Sequence, residues 1–156
     1  MVDLNNQLFL KTKRHEIMNL IERNKELIKK FETMINTADI ELAKELVDDN
    51  APFYTPASPK PLYGGAGYLS VVNWMRQGFS DCKWHIKDLV ADKDKVAVYW
   101  ELSGTHDGKF MDIEATGKKI SVCVMNFYYI NSKGKITNDI AAAGMIGILR
   151  GIGAMK

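Results

Sequence analysis

Little in this sequence could cross-link it, charge it strongly or anchor it. Only two of its 156 residues are cysteine. Cys82 and Cys123 lie in apolar, strand-like stretches without metal-type spacing, so they read as buried thiols in a reducing compartment, with no disulfide between them. Lys and Arg number 21 against 19 Asp and Glu, a formal net charge of +2. That excludes the broad positive field of a dedicated nucleic-acid binder. No apolar run approaches the roughly 18 to 20 residues that span a bilayer. Between Met1 and Lys13 the apolar core is only Leu8, Phe9 and Leu10, too short for a secretion signal. The expectation is a cytoplasmic protein with neither nucleic acid nor membrane as partner. Also missing are a phosphate-binding Gly-Lys-Ser/Thr loop, a dinucleotide glycine pattern, a nucleophile elbow and a His-Glu-x-x-His motif. The three histidines are too scattered for a metal site. Neither a metal nor a cofactor is expected.

What is present is an ordinary single-domain composition, 46% hydrophobic and 26% charged, enough to bury roughly 70% of the unfolded surface without a staple. From His15 onward Ile17, Leu20, Ile21, Leu27, Ile28, Phe31, Met34 and Ile35 recur at helical spacing, interrupted by Asn24. They predict one amphipathic helix, or two joined near Asn24. Asp39 is a good N-cap for a second, short helix carrying Ile40, Ala43, Leu46 and Val47, which should end near Asp49 and Asn50. All four prolines fall between Pro52 and Pro61. They predict a stiff, irregular crossing segment, closed by Gly64, Gly65 and Gly67. Tyr68, Leu69, Val72, Met75, Arg76 and Phe79 give a third helical stripe.

The period then changes to two. Trp84 to Val90, Val96 to Leu102, Ile120 to Val124 and Ile136 to Ala143 predict antiparallel strands separated by short turns, and Met145 to Met155 a glycine-weakened terminal helix. Helices first and a meander afterwards imply an α+β domain whose sheet packs one face on the helices. Tyr99, Met125, Phe127 and Tyr129 alternate toward the other face, which should be buried by a second copy.

Phe79, Asp81, Asp88-Leu89-Val90-Ala91, Val96-Ala97-Val98, Trp100, Gly104-Thr105-His106, Gly108, Phe110 and Thr116-Gly117-Lys118 occur in one ungapped stretch. In order and spacing it resembles the central region of SnoaL-like polyketide cyclases, also called ester cyclases. Glu22 to Val47 resembles that family's opening helix pair, and Gly134-Lys135-Ile136 its approach to the last strand. The resemblance implies residues 22–156 as the family domain and 1–21 as an N-terminal helical extension. It further implies the cystatin-like cone of the nuclear transport factor 2-like superfamily, in which a curved antiparallel sheet and N-terminal helices enclose a pocket. Such folds commonly pair through the outer face of the sheet. Family cyclases close a ring by intramolecular aldol condensation without metal or cofactor, moving a proton with a side chain of the last strand. There the family usually reads Glu-His-Trp with a carboxylate soon after. This chain has Asn138, Asp139 and Ile140, followed by Ala141, Ala142, Ala143 and Gly144.

Asp139 is thus the candidate acid/base. In an apolar strand, desolvation would raise its pKa toward the useful range; otherwise it faces water at the sheet edge or pairs with a lysine. By strand parity it shares a face with Thr137 and Ala141. His106, in the parity of Val96, Val98, Trp100 and Leu102, is a candidate proton shuttle, or else a turn residue bonded to backbone. Asn126 sits on the apolar parity of Val122, Val124 and Tyr128 and must find a partner or a ligand. Trp74, Trp100 and Tyr128, with Tyr54 at the mouth, are candidates to line a hydrophobic cavity for a small apolar or polyketide-like molecule, or to pack the core. Two functions follow: a cofactor-independent cyclase, isomerase, dehydratase or hydrolase, or a non-catalytic binding or protein-interaction module.

Overall fold

A computed structural model describes residues 4–55, 58–142 and 144–155. Its elements are α1 (Leu4–Thr37), α2 (Ile40–Leu46), β1 (Pro52–Thr55), β2 (Ser58–Tyr63), α3 (Gly64–Gly78), β3 (Lys83–Ala91), β4 (Lys95–Thr105), β5 (Lys119–Ile130), β6 (Ile136–Ala142) and α4 (Gly144–Gly151). The last four strands form one antiparallel sheet in the order β3-β4-β5-β6, which stays open. The expected α+β architecture, helices first and an antiparallel sheet after, is what forms.

The apolar stripe of α1 makes it a single helix through Asn24. That residue is fully buried, and its amide donates to the carbonyls of Asp92 (2.7 Å) and Lys93 (3.0 Å), tying the helix to the β3–β4 turn. Two further α1 side chains cover the free edge of β3. Asn36 both donates to and accepts from the Trp84 backbone (2.7 and 3.0 Å), and Glu32 accepts from the Ile86 amide (2.9 Å). An edge strand that would otherwise offer unpaired groups is thereby blocked. Below Ile28, Phe31, Met34 and Ile35 lies the inner face of β4 and β5, where Val96, Val98, Trp100, Tyr128 and Ile130 complete the main core. At its other end α1 runs free: every side chain from Asn6 to Glu16 is exposed.

The proline-rich segment departs from expectation. Pro52 pairs with Tyr63 and Phe53 with Leu62, so β1 and β2 form a small hairpin. In a two-stranded ribbon half of the amides point outward, and proline is tolerated there. Pro56 lies outside the described residues. Gly64 and Gly65 do not close that segment but open α3, where a Cβ on Gly65 would stand 2.5 Å from the backbone of Ala43.

The second helix stops at Leu46, earlier than expected, because Asp48 turns away to bond the Ile136 carbonyl. The cysteines also part company: Cys82 is buried, but Cys123 is exposed on the outer face of β5. Tyr99, Met125 and Phe127 are exposed on that face too, as their alternation predicts. The glycines of α4 have a packing reason. A Cβ on Gly144, Gly147 or Gly151 would stand 3.1, 3.3 or 2.8 Å from Val124, Val122 or Ile120, so the helix lies close on β5. No helix among the described residues is long and apolar enough to cross a membrane.

Candidate active site

A cavity of about 510 Å³ opens between α3, the β1–β2 hairpin, the inner face of the sheet and α4. That volume suits a small organic ligand. Its walls are mostly apolar, with Phe53, Val72, Met75, Trp84, Leu102 and Ile148 among them; its polar groups are Tyr68, Asn126, Asn138 and Asp139, and Tyr54 stands exposed at the rim.

Asp139 reaches the cavity through strand register. It pairs with Tyr128 across β5 and β6, and Ala141 pairs with Asn126, which sets Asp139, Ala141, Tyr128 and Asn126 on one face. Between Ile130↔Ile136 and Tyr129↔Asn138 the register shifts, leaving Thr137 as the extra residue of a bulge. The bulge lets Ile136 fill the core while Asp139, three residues on, still points inward. Thr137 donates its hydroxyl to the Tyr129 carbonyl (3.2 Å) instead of sharing that face.

The Asn126 amide donates to Asp139 Oδ1 at 2.6 Å. Burial pushes the Asp139 pKa from 3.8 up to about 6, against the opposing pull of that hydrogen bond. Desolvation in the cavity wall thus outweighs the one donor. A carboxylate poised there is mostly ionised at neutral pH yet easily protonated, which suits proton transfer. Asp139 lies on β6, an edge strand of the sheet, half-buried in the cavity wall, and among the described residues no ion pair joins it to a lysine.

Behind it, the Trp100 indole donates to the Tyr128 hydroxyl at 3.1 Å. Phe31 packs edge-on against both Tyr68 and Tyr128, with ring centroids 4.8 and 5.2 Å away. Burial first and the charge of Asp139 second raise both tyrosine hydroxyls well above their ordinary range. Trp100 and Tyr128 are thus second-row residues in the core and do not line the cavity.

The structure does not bring His106 or Trp74 to this site. Trp74 packs on Phe110 (4.8 Å between centroids) in a second apolar cluster with Phe79, Ile120 and Ile152. His106 is fully buried in that region, stacked on Phe79 at 5.1 Å. Its Nδ1 accepts from the Thr116 amide (3.3 Å) and meets the Thr116 hydroxyl (3.0 Å), while Nε2 has no partner. The turn reading of His106 describes it better than a shuttle. Tyr68 and Asn138 are polar cavity residues that sequence reasoning missed; the signal of Tyr68 was a hydroxyl on the apolar stripe of α3 beside glycines. Among the described residues no group of His, Cys, Asp and Glu side chains is placed to hold a metal.

Comparison with known proteins follows the same lines. TsrD from Streptomyces laurentii superposes with a TM-score of 0.74 at 21% identity, covering 86% of this chain and 97% of that one. A SnoaL-like polyketide cyclase from Agrobacterium tumefaciens gives 0.68 at 21%, covering 83% and 98%. IdmH from Streptomyces antibioticus gives 0.71 at 22%, again covering 83% and 98%. At such identities the likeness shows the fold and not the reaction. No curated protein matches. The model of the family described as SnoaL-like polyketide cyclase matches residues 25–152, and on that match, together with the shared fold, the chain belongs to the SnoaL-like polyketide cyclase family.

Proposed function

We propose that this chain is a cofactor-independent enzyme of the cyclase or isomerase type, which takes a small, largely apolar, polyketide-like molecule into the cavity and moves a proton beside a carbonyl. Asp139 is the general acid/base and Asn126 orients it. The observation that carries the reading is one carboxylate held near pKa 6 in the wall of a mostly apolar cavity. Perturbed titration in a concave site is where acid/base residues are found. The test is deuterium uptake from D₂O at the carbon beside the carbonyl of aromatic β-keto esters, followed by NMR. Wild-type protein should accelerate uptake over buffer, and Asp139→Asn should lower the rate by about 10² to 10⁴.

A non-catalytic binding module is favoured by one feature: Ala141 and Gly144 line the same wall, next to Asp139, and carry no proton. Wild-type uptake no faster than buffer, with the esters still bound, would select it.

Two further proposals concern assembly and place. Tyr99, Met125, Phe127 and Ile140 leave a contiguous apolar strip exposed on the outer face of the sheet, which supports a homodimer. Light scattering should report about twice 17.6 kDa, and Phe127→Glu should halve that mass. The two free cysteines support a reducing, cytoplasmic setting.

A further inference from the structure

One oxygen of Asp139 is held and the other is open. The Asn126 amide donates to Oδ1, and among the described residues no hydrogen bond or ion pair reaches Oδ2. His106 Nε2 is the buried, unpartnered side-chain nitrogen or oxygen found among those residues, so an unbonded Oδ2 is an atom that the cavity reaches. The cavity wall brings Asp139 no counter-charge. Its lining residues come from the hairpin, α3, the sheet and α4, and none of them is a lysine, arginine or histidine. The titratable groups facing the carboxylate are two hydroxyls, Tyr68 on α3 and Tyr128 on β5, with Tyr54 of the hairpin at the rim. Taking a carboxylate out of water is costly unless a positive group accompanies it. Here that positive group has to arrive with the ligand.

We propose that the cavity is also a receptor for protonated amines with an apolar or aromatic body, the ammonium group donating to Asp139 Oδ2. This goes beyond the reading of Asp139 as a base, because it needs only a carboxylate open to the cavity and holds for a non-catalytic chain as well. An N–H of an ammonium bonded to a carboxylate is about twice as strong as a neutral pair. The aromatic walls favour the same guest. Phe53, Tyr54, Tyr68 and Trp84 line the cavity, and ring faces attract a cation more strongly away from water. Phe53 and Tyr68 meet edge to face at 4.8 Å, so two of these rings are fixed before a ligand enters. A ligand carrying a carboxylate or phosphate meets the opposite situation, since two like charges would then share one wall without a cation. No bond is made or broken in this binding. A bound amine keeps Asp139 ionised and covers its open oxygen, so it should inhibit any proton transfer that Asp139 performs.

The probes are 1-naphthylmethylamine, the uncharged 1-naphthylmethanol of nearly the same shape, and 1-naphthoate, with binding followed by naphthalene fluorescence. At about pH 7.5 the amine should bind about 10- to 100-fold more tightly than the alcohol, the value of a hydrogen bond to a charged group, and naphthoate more weakly than either. Asp139, with its pKa near 6, is protonated at about pH 4.5 while the amine keeps its charge, so there the preference should shrink to a few-fold. Asp139→Asn should abolish it at both pH values and leave the affinity for the alcohol unchanged, which reports an intact cavity. Should that variant fail to fold, the pH comparison on wild-type protein carries the test. An amine-to-alcohol ratio within about twofold at the higher pH would overturn the proposal. So would a preference unchanged at the lower pH or surviving in Asp139→Asn, or failure of both probes to bind at millimolar concentration. Deuterium uptake is read separately: uptake without amine preference would keep the base and remove the receptor, and amine preference without uptake would do the opposite.

Discussion

The two acid/base candidates of the sequence lie in different regions of one sheet. Asp139 stands on the row of Tyr128 and Val96, and His106 follows Thr105 at the far end of β4. Val96 to Thr105 spans roughly 30 Å of strand, so neither side chain can assist the other. Both are surrounded by apolar groups, and the cavity described above reaches the first and not the second. The Asp139 region is incompletely filled, with alanine and glycine on one wall. The His106 region is sealed by Phe79 and Phe110 and satisfied on one nitrogen by Thr116. A polar residue in an apolar stretch therefore carries no functional meaning until it is known whether open space touches it.

The largest effect that would break or sharpen this contrast is on rate. Asp139→Asn removes the titrating group while keeping the Asn126 hydrogen bond, so the loss of about 10² to 10⁴ in deuterium uptake should occur with little change in ester affinity. His106→Ala should do the reverse. Truncating a fully buried ring costs about 3 kcal/mol of stability, seen in urea denaturation, with uptake by the folded protein unchanged. A fall in uptake without loss of stability would mean that the sealed region communicates with the cavity.

A subtler comparison is the pH dependence of stability. Asp139 has a folded pKa raised above its unfolded one, so the folded chain retains a proton that the unfolded chain has released. Its contribution is complete below about pH 4, declines as pH rises through about 6, and is lowest at neutral pH. The difference corresponds to up to about 3 kcal/mol. Asp139→Asn should therefore be more stable than wild type at pH 7 and no more stable at pH 4, by urea denaturation at both values. Equal stability at pH 7 would show that the carboxylate is solvated.

Much of this architecture was readable from local pattern. The helical stripes of α1 and α3, the Asp39 cap and the alternation of β4 and β5 are nearest-neighbour signals, and each formed where expected. Asp139 and Asn126 were legible for the same reason, as polar residues at apolar positions. Less legible were features set by contacts distant in sequence. The Thr137 bulge exists because β6 must satisfy both the core and the cavity, so parity counted along the strand alone cannot reveal it. Trp100 and Tyr128 carry the same residue types whether they line a void or back one. Trp74 joined the second cluster because Phe110, in the long β4–β5 connection, folds back onto α3. Pro52 to Pro61 formed a hairpin because tolerance of proline depends on which amides face a partner.

The close seat of α4 on β5 gives this architecture a way to change what it holds. Gly144 is itself part of the cavity wall, and Met145 and Ile148 are carried on the same helix. The distance of that wall from the sheet is fixed by three missing methyl groups over Val124, Val122 and Ile120. A single alanine at Gly151, where a Cβ would stand 2.8 Å from Ile120, would act as a wedge and lift the helix without touching Asp139, Asn126 or Tyr68. Room for the ligand and the apparatus that handles its proton are thus encoded in separate residues, so descendants of this chain could drift toward larger or smaller guests while inheriting the same chemistry.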